Sequence, residues 1–207
     1  MIYGLVAGAM GIAVVHSLAP DHWLPFVAIG RARNWSIAKV ALVAFLGALG
    51  HVLSSVLLGS VGIALGLAQE RLTKTEETRA TIAAALLVGF GIAYALWGLK
   101  HARTHAHTHD VDVKKTVTMW ALIAIFVLGP CEPLIPMMFG AMAAGWHAVW
   151  LVAVGFSLVT MAMMMGQTLL AFAGVRLLRF EGLERYGHVI GGLVIAVTGV
   201  AIKALGI

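Results

Sequence analysis

The sequence predicts an all-α integral membrane protein with six transmembrane helices, built as two inverted three-helix repeats whose first and fourth helices are broken by proline. Three observations carry this. Hydrophobic residues make up 61% of the 207 and charged residues only 11%, and the mean hydropathy is +0.96, a balance that a soluble domain does not have. Apolar stretches able to hold a crossing of ~20 residues recur along the whole chain. All five prolines fall in two short stretches, Pro20 and Pro25 in the first half and Pro130, Pro133 and Pro136 in the second.

Taken in order, crossings are expected at 2–30, 37–68, 79–99, 117–145, 149–175 and 186–205. The first and fourth are longer than a straight helix needs at ~1.5 Å per residue. Their prolines lie near the middle, where a missing donor and a clash with the preceding turn break the helix into two halves. The second is rich in glycine (Gly47, Gly50, Gly59, Gly62, Gly66), which permits tilt and close helix contact. The N-terminal run has no basic leader, and Pro20 follows the only small-residue cleavage candidate, so it is expected to be a retained first helix.

Superposing the proline stretches sets Pro20-Asp21-His22-Trp23-Leu24 on Pro130-Cys131-Glu132-Pro133-Leu134 at an offset of 110. Three crossings per half, an odd number, require the second copy to be inverted, with a substrate site between the halves near the bilayer midplane. The expected organisation is therefore a first repeat over 1–99, a cytoplasmic loop over 100–116 and a second repeat over 117–207. Ten of the 14 basic residues, from Arg31, Arg33 and Lys39 through Arg185, fall on one side of this arrangement, leaving Arg71, Lys74, Arg79 and Lys203 on the other. The richer side is expected to be cytoplasmic and both termini outside, in a plasma membrane of prokaryotic type.

Several function classes drop out. A net charge of +5 is spread over short loops rather than gathered on an aromatic-lined stripe, so no nucleic-acid partner is expected. Cys131 is the chain's one cysteine, which excludes an intramolecular disulfide. No Gly-x4-Gly-Lys-Ser/Thr run is present, so energy is expected from a gradient or a partner.

The chemistry lies in the two proline stretches. His16, Asp21 and His22 in the first, His51 on the next crossing, and Cys131 and Glu132 in the second are ionisable or metal-ligating groups at expected membrane depth. Such groups are costly in lipid and mark ion or substrate paths. Together they form a divalent-metal inventory of imidazole, carboxylate and thiol. On an unbroken helix His16 and His22 would stand ~9 Å apart along the axis, so unwinding at Pro20 is what brings them to one ion. The run Met161-Ala162-Met163-Met164-Met165 points sulfurs all around its helix and is read as packing, while Ser157, Thr160 and Gln167 line a path or bond across helices. His101, His105, His107 and His109 form an auxiliary metal-binding loop on composition.

His16-x4-Asp21-His22, followed by Leu49-Gly50-His51 on the next helix, resembles the nickel/cobalt transporter family, and the His-rich loop is similar to that of its efflux members. The resemblance implies metal recognition by His16, Asp21 and His22 with help from His51. Gly129-Pro130-Cys131 is similar to the broken helices of a wider superfamily that includes lysine exporters and the thiol–disulfide electron carriers of cytochrome maturation. Those carriers need a cysteine in each half, and here Asp21 stands where the first would lie. The expected activity is therefore transport of a divalent transition metal, Ni or Co first and Zn as a further candidate. The metal is substrate rather than resident cofactor, protons are the coupling ion, and no enzymatic activity is expected. The alternatives are thiol–disulfide redox or assembly through Cys131, and export of a small anion.

Overall fold

The structure is a computed structural model, described here over residues 2–103, 112–129, 131–177 and 186–205. Among these residues every regular element is helical: α1 (Ile2–Ser17), a 3-10 turn (Pro20–His22), α2 (Leu24–Ala32), α3 (Ile37–Ala64), α4 (Gln69–Arg103), α5 (Asp112–Leu128), α6 (Leu134–Met142), α7 (Trp146–Leu177) and α8 (Gly187–Leu205). Stretches long and apolar enough to cross a membrane occupy Ile37–Ala64, Gln69–Ala102, Trp146–Val175 and Gly187–Ala204, beside shorter apolar helices at Ile2–Ser17 and Thr118–Leu128.

Side-chain placement fits a lipid surround. On α3, Leu42, Phe45, Leu49, Leu53, Leu57 and Val61 are exposed at helical spacing, while Val40, Ala44, Gly47, His51, Ser55 and Gly59 are buried. The outward face is thus the more uniformly apolar one and the polar groups lie within, the reverse of a soluble helix.

Both expected breaks fall among the described residues. Pro20 has no N–H to continue α1, and the chain tightens instead, with Ala19 N donating to His16 O at 3.3 Å and His22 N to Ala19 O at 3.1 Å. Pro25 then sits in the first turn of α2, where a missing donor costs nothing. In the second half α5 closes with Gly129 N donating to Ile125 O at 2.9 Å, and α6 opens with Leu134 N donating to Cys131 O at 3.0 Å. Pro136 lies in the first turn of α6 and is tolerated for the same reason as Pro25. Pro130 lies outside the described residues.

The helix boundaries otherwise depart from expectation at one place that matters. The third crossing was expected from 79, yet α4 starts at Gln69. Its first ten residues look like a charged connector to a hydropathy window. On a helix, however, Leu72, Glu76 and Arg79 share a face that turns inward, while Glu70 and Lys74 pair at 2.9 Å on the exposed one. Arg79 is therefore an interior residue rather than a loop charge. α3 ends slightly early, in a left-handed cap: Gly66 has φ +66°, and Leu67 N donates to Gly62 O at 2.9 Å.

Packing follows a reciprocal pattern in which α1 lies against α7 and α5 against α3, while α4 pairs with α8. The α4–α8 seam is backbone on backbone. A Cβ placed on Gly192 would stand 2.5 Å from both Ala95 N and Gly91 O, so glycine is required there. Two buried clusters flank the breaks, one around Phe26, Val43, Phe126, Met164 and Ile195, the other around Ala13, Cys131, Leu134, Met138 and Phe156.

Candidate metal site

His16 ends α1, His22 closes the 3-10 turn and His51 lies midway along α3. The break brings these three together: one ring nitrogen from each lies within 4.8 Å of the others. His22 Nε2 and His16 Nε2 are 3.1 Å apart, and the His51 ring lies 5.1 Å from that of His22 and 6.1 Å from that of His16, centroid to centroid. Two nitrogens bound at ~2.1 Å to one ion stand ~3.0 Å apart at a right angle and ~3.4 Å apart at the tetrahedral angle. The observed 3.1 Å falls between these.

The protonation pattern follows from the carboxylate. Asp21 Oδ1 lies 3.0 Å from His22 Nδ1, and an ionised carboxylate can only accept. Nδ1 therefore carries the proton, and the Nε2 lone pair accepts from His16 Nε2–H at 3.1 Å; an outer carboxylate orients a ligating imidazole in the same way. His51 Nε2 is buried and has no hydrogen-bond partner. An unsatisfied buried nitrogen is costly, and His51 is the third member of the group formed with His16 and His22.

A cavity of about 260 Å³ adjoins the group, lined by His16, Asp21, His22, His51 and Glu132 together with apolar residues of α4 and α5 such as Ala83, Leu87 and Phe126. Glu132 is exposed and lines this cavity, but it is not a member of the three-nitrogen cluster. Asp21 also stands outside that cluster and contacts it through His22. Cys131 is fully buried. Its Sγ lies 3.7 Å from His16 Nε2, within hydrogen-bonding range for sulfur, though it is not a member of the three-nitrogen cluster. Of the expected auxiliary loop, His101 ends up stacked on Trp97 at 5.4 Å, apart from the site; His105, His107 and His109 lie outside the described residues. Met164 is packed in the core, as its spacing suggested.

Two polar clusters escaped the sequence reading. The first joins α3 and α4 to the second break. Arg79 pairs with Glu76, and its Nη2 donates to Ser54 Oγ at 2.6 Å and to the carbonyls of Val127 at 2.9 Å and Gly129 at 3.3 Å. Ser55 Oγ donates to Glu76 Oε1 at 3.2 Å and accepts from Cys131 N at 3.1 Å. The usable signal was the i, i+4, i+7 spacing of Leu72, Glu76 and Arg79, which sets them on one face. The second cluster lies where α4 ends and α8 begins. There Arg33 donates to Tyr94 Oη at 3.0 Å and Thr118 Oγ1 at 2.6 Å, and Tyr94 Oη meets His188 Nδ1 at 2.8 Å. Nothing in the spacing of these four residues announces it.

The arrangement can hold a small cation by neutral nitrogen donors with a carboxylate behind them. Comparison with protein-family models, with curated proteins and with solved structures finds no match.

Proposed function

We propose that this chain is a membrane transporter of a divalent transition-metal ion, Ni²⁺ or Co²⁺ first, driven by an ion gradient. His16, His22 and His51 supply the nitrogen ligands, Asp21 orients His22 and adds negative charge, and Glu132 stands at the cavity wall. The observation that carries this reading is the gathering of three ring nitrogens around one point, with His51 Nε2 left unpartnered inside an apolar bundle. Buried polar atoms are usually paired, and this one lies in a residue whose ring is grouped with two further imidazoles beside the cavity.

In the same proposal the chain crosses the membrane six times as two inverted three-helix halves, with both termini outside and the His-rich segment in the cytoplasm. The matched order of elements supports this: a split helix followed by two long ones, then a split helix followed by two more. The resemblance of His16-x4-Asp21-His22 and Leu49-Gly50-His51 to nickel/cobalt transporters points to the same substrate class. Against thiol exchange stands the complete burial of Cys131, since a sulfur that trades with a partner thiol must be reached by it. Against an anion stands the cavity lining, which offers Asp21 and Glu132 but no arginine or lysine.

The test is equilibrium binding of Ni²⁺, Co²⁺ and Zn²⁺ to the purified chain, followed by flux into vesicles. Saturable binding of one ion per chain, lost in His16→Ala and in His51→Ala, is expected. Binding that persists in both variants would remove the site from the proposal.

A further inference from the structure

The three imidazoles all come from the first half of the chain, from α1, the 3-10 turn and α3. Alternating access needs both halves to respond to an ion held there, and the site adjoins the second break, since Gly129 and Glu132 line the same cavity as the three histidines. Among the described residues, two polar threads join the site to the second helix break. One is the long contact of Cys131 Sγ with His16 Nε2. The other begins at His51, whose carbonyl accepts from Ser54 Oγ at 2.9 Å. Ser54 Oγ accepts in turn from Arg79, whose guanidinium also holds the carbonyls of Val127 and Gly129. Those carbonyls belong to the end of α5, where the break leaves no amide to bond them. The other edge of the break is fixed from the same place, because Cys131 N donates to Ser55 Oγ, and Ser55 Oγ bonds Glu76 and accepts from Arg79 at 3.3 Å.

We propose that Arg79, held by Glu76, is the positioning residue that couples occupancy of the His16–His22–His51 site to the second helix break. The inference rests on the transport reading and adds to it the residue through which a bound ion and a moving segment communicate. The guanidinium suits this task. Its planar fork carries five donors and spans a carboxylate, two hydroxyls and two carbonyls at once, where a lysine ammonium offers three on a point charge. Glu76, 2% exposed by side chain, neutralises the cation inside the bundle, so the pair can sit there as a unit. A shift of the His51 turn on ion binding is passed through Ser54 to Arg79 and from Arg79 to the backbone of the break. Arg79 touches no ligand nitrogen, so its loss should spare binding and stop movement.

The experiment compares the wild-type chain with Arg79→Gln and Arg79→Lys, using Ni²⁺ as probe. Three quantities are read: equilibrium binding in detergent, flux in vesicles, and the rate at which a maleimide labels Cys131, which is buried and reacts only when the break opens. The expected result is Ni²⁺ affinity within about 3-fold of wild type in both variants, with flux at least about 10-fold lower in Arg79→Gln and intermediate in Arg79→Lys. Labelling of Cys131 should respond to Ni²⁺ in the wild type and lose that response in Arg79→Gln. Wild-type flux in Arg79→Gln would overturn the proposal, as would affinity falling in step with flux in both variants, the pattern of a residue that merely keeps the fold. Cys131 labelling that responds to Ni²⁺ in the wild type and not in Arg79→Gln, in a chain that carries no Ni²⁺ across vesicles, would sink the transport reading while upholding the coupling.

Discussion

His51→Leu separates the cost of the site from its use. In the metal-free chain His51 Nε2 is buried and unpartnered, and a buried unsatisfied polar group costs ~1–3 kcal/mol. Leucine has nearly the volume of the ring and no polar atom, so the substitution removes that cost and leaves no large cavity. For a chain of this length ~1 kcal/mol moves a thermal midpoint by ~2–4 °C, and the metal-free variant should melt at or a few degrees above the wild type. With metal the order should reverse. An ion present at 100 times its dissociation constant stabilises the wild type by ~2.7 kcal/mol, and the variant, one ligand short, should gain little of this. Thermal unfolding in detergent, followed by tryptophan fluorescence with and without Ni²⁺, measures both effects in one series. The reasoning is refuted if metal-free His51→Leu loses ~3 kcal/mol or more, as a core truncation does, or if its midpoint still rises with Ni²⁺ as the wild type's does.

Asp21→Asn keeps an acceptor for His22 Nδ1 but removes the charge behind it, and titration calorimetry should find metal binding ~10–100-fold weaker, the usual effect of losing an outer-sphere carboxylate. Glu76→Ala leaves the Arg79 cation buried without its partner and should destabilise the metal-free chain by ~3–5 kcal/mol, whereas the double variant Glu76→Leu with Arg79→Met should recover much of this in the same melting assay. Gly192→Ala drives a methyl into Ala95 N and Gly91 O and should cost ~1–3 kcal/mol by overpacking, read as a lower midpoint and a lower yield of folded protein. Replacing His101, His105, His107 and His109 together should leave the tightest metal site unchanged, since His16, His22 and His51 form their group among the described residues without them, and should reduce only the number of weak sites seen by calorimetry.

What the sequence makes legible follows the physics of one dimension. Proline has a local effect, so the breaks near Pro20 and after Leu128 could be placed from the prolines alone. Ionisable groups in apolar runs are rare enough that His16, His22 and His51 stood out, and their spacing of six between the first two demanded a turn to bring them together. The roles inside the site were harder. Asp21 and Cys131 have ligand chemistry, but side-chain direction, which spacing does not specify, decides what each touches; here Asp21 Oδ1 meets His22 Nδ1, and Cys131 is buried with its Sγ 3.7 Å from His16 Nε2. Glu76 and Arg79 were missed because a hydropathy window averages over faces. Ten residues rich in charge conceal an inward stripe only when they are wound at 3.6 per turn. The Arg33–Tyr94–His188 cluster draws on three distant helices, and no one-dimensional pattern encodes that.

The glycine seam between α4 and α8 has a mechanical consequence. Where two helices touch main chain to main chain, neither can roll or slide without striking the other's peptide groups, and close-packed interiors yield in discrete steps rather than by smooth deformation. These two rods must travel as a single stiff keel. Any change of shape in this molecule is left to the helices packed around that pair.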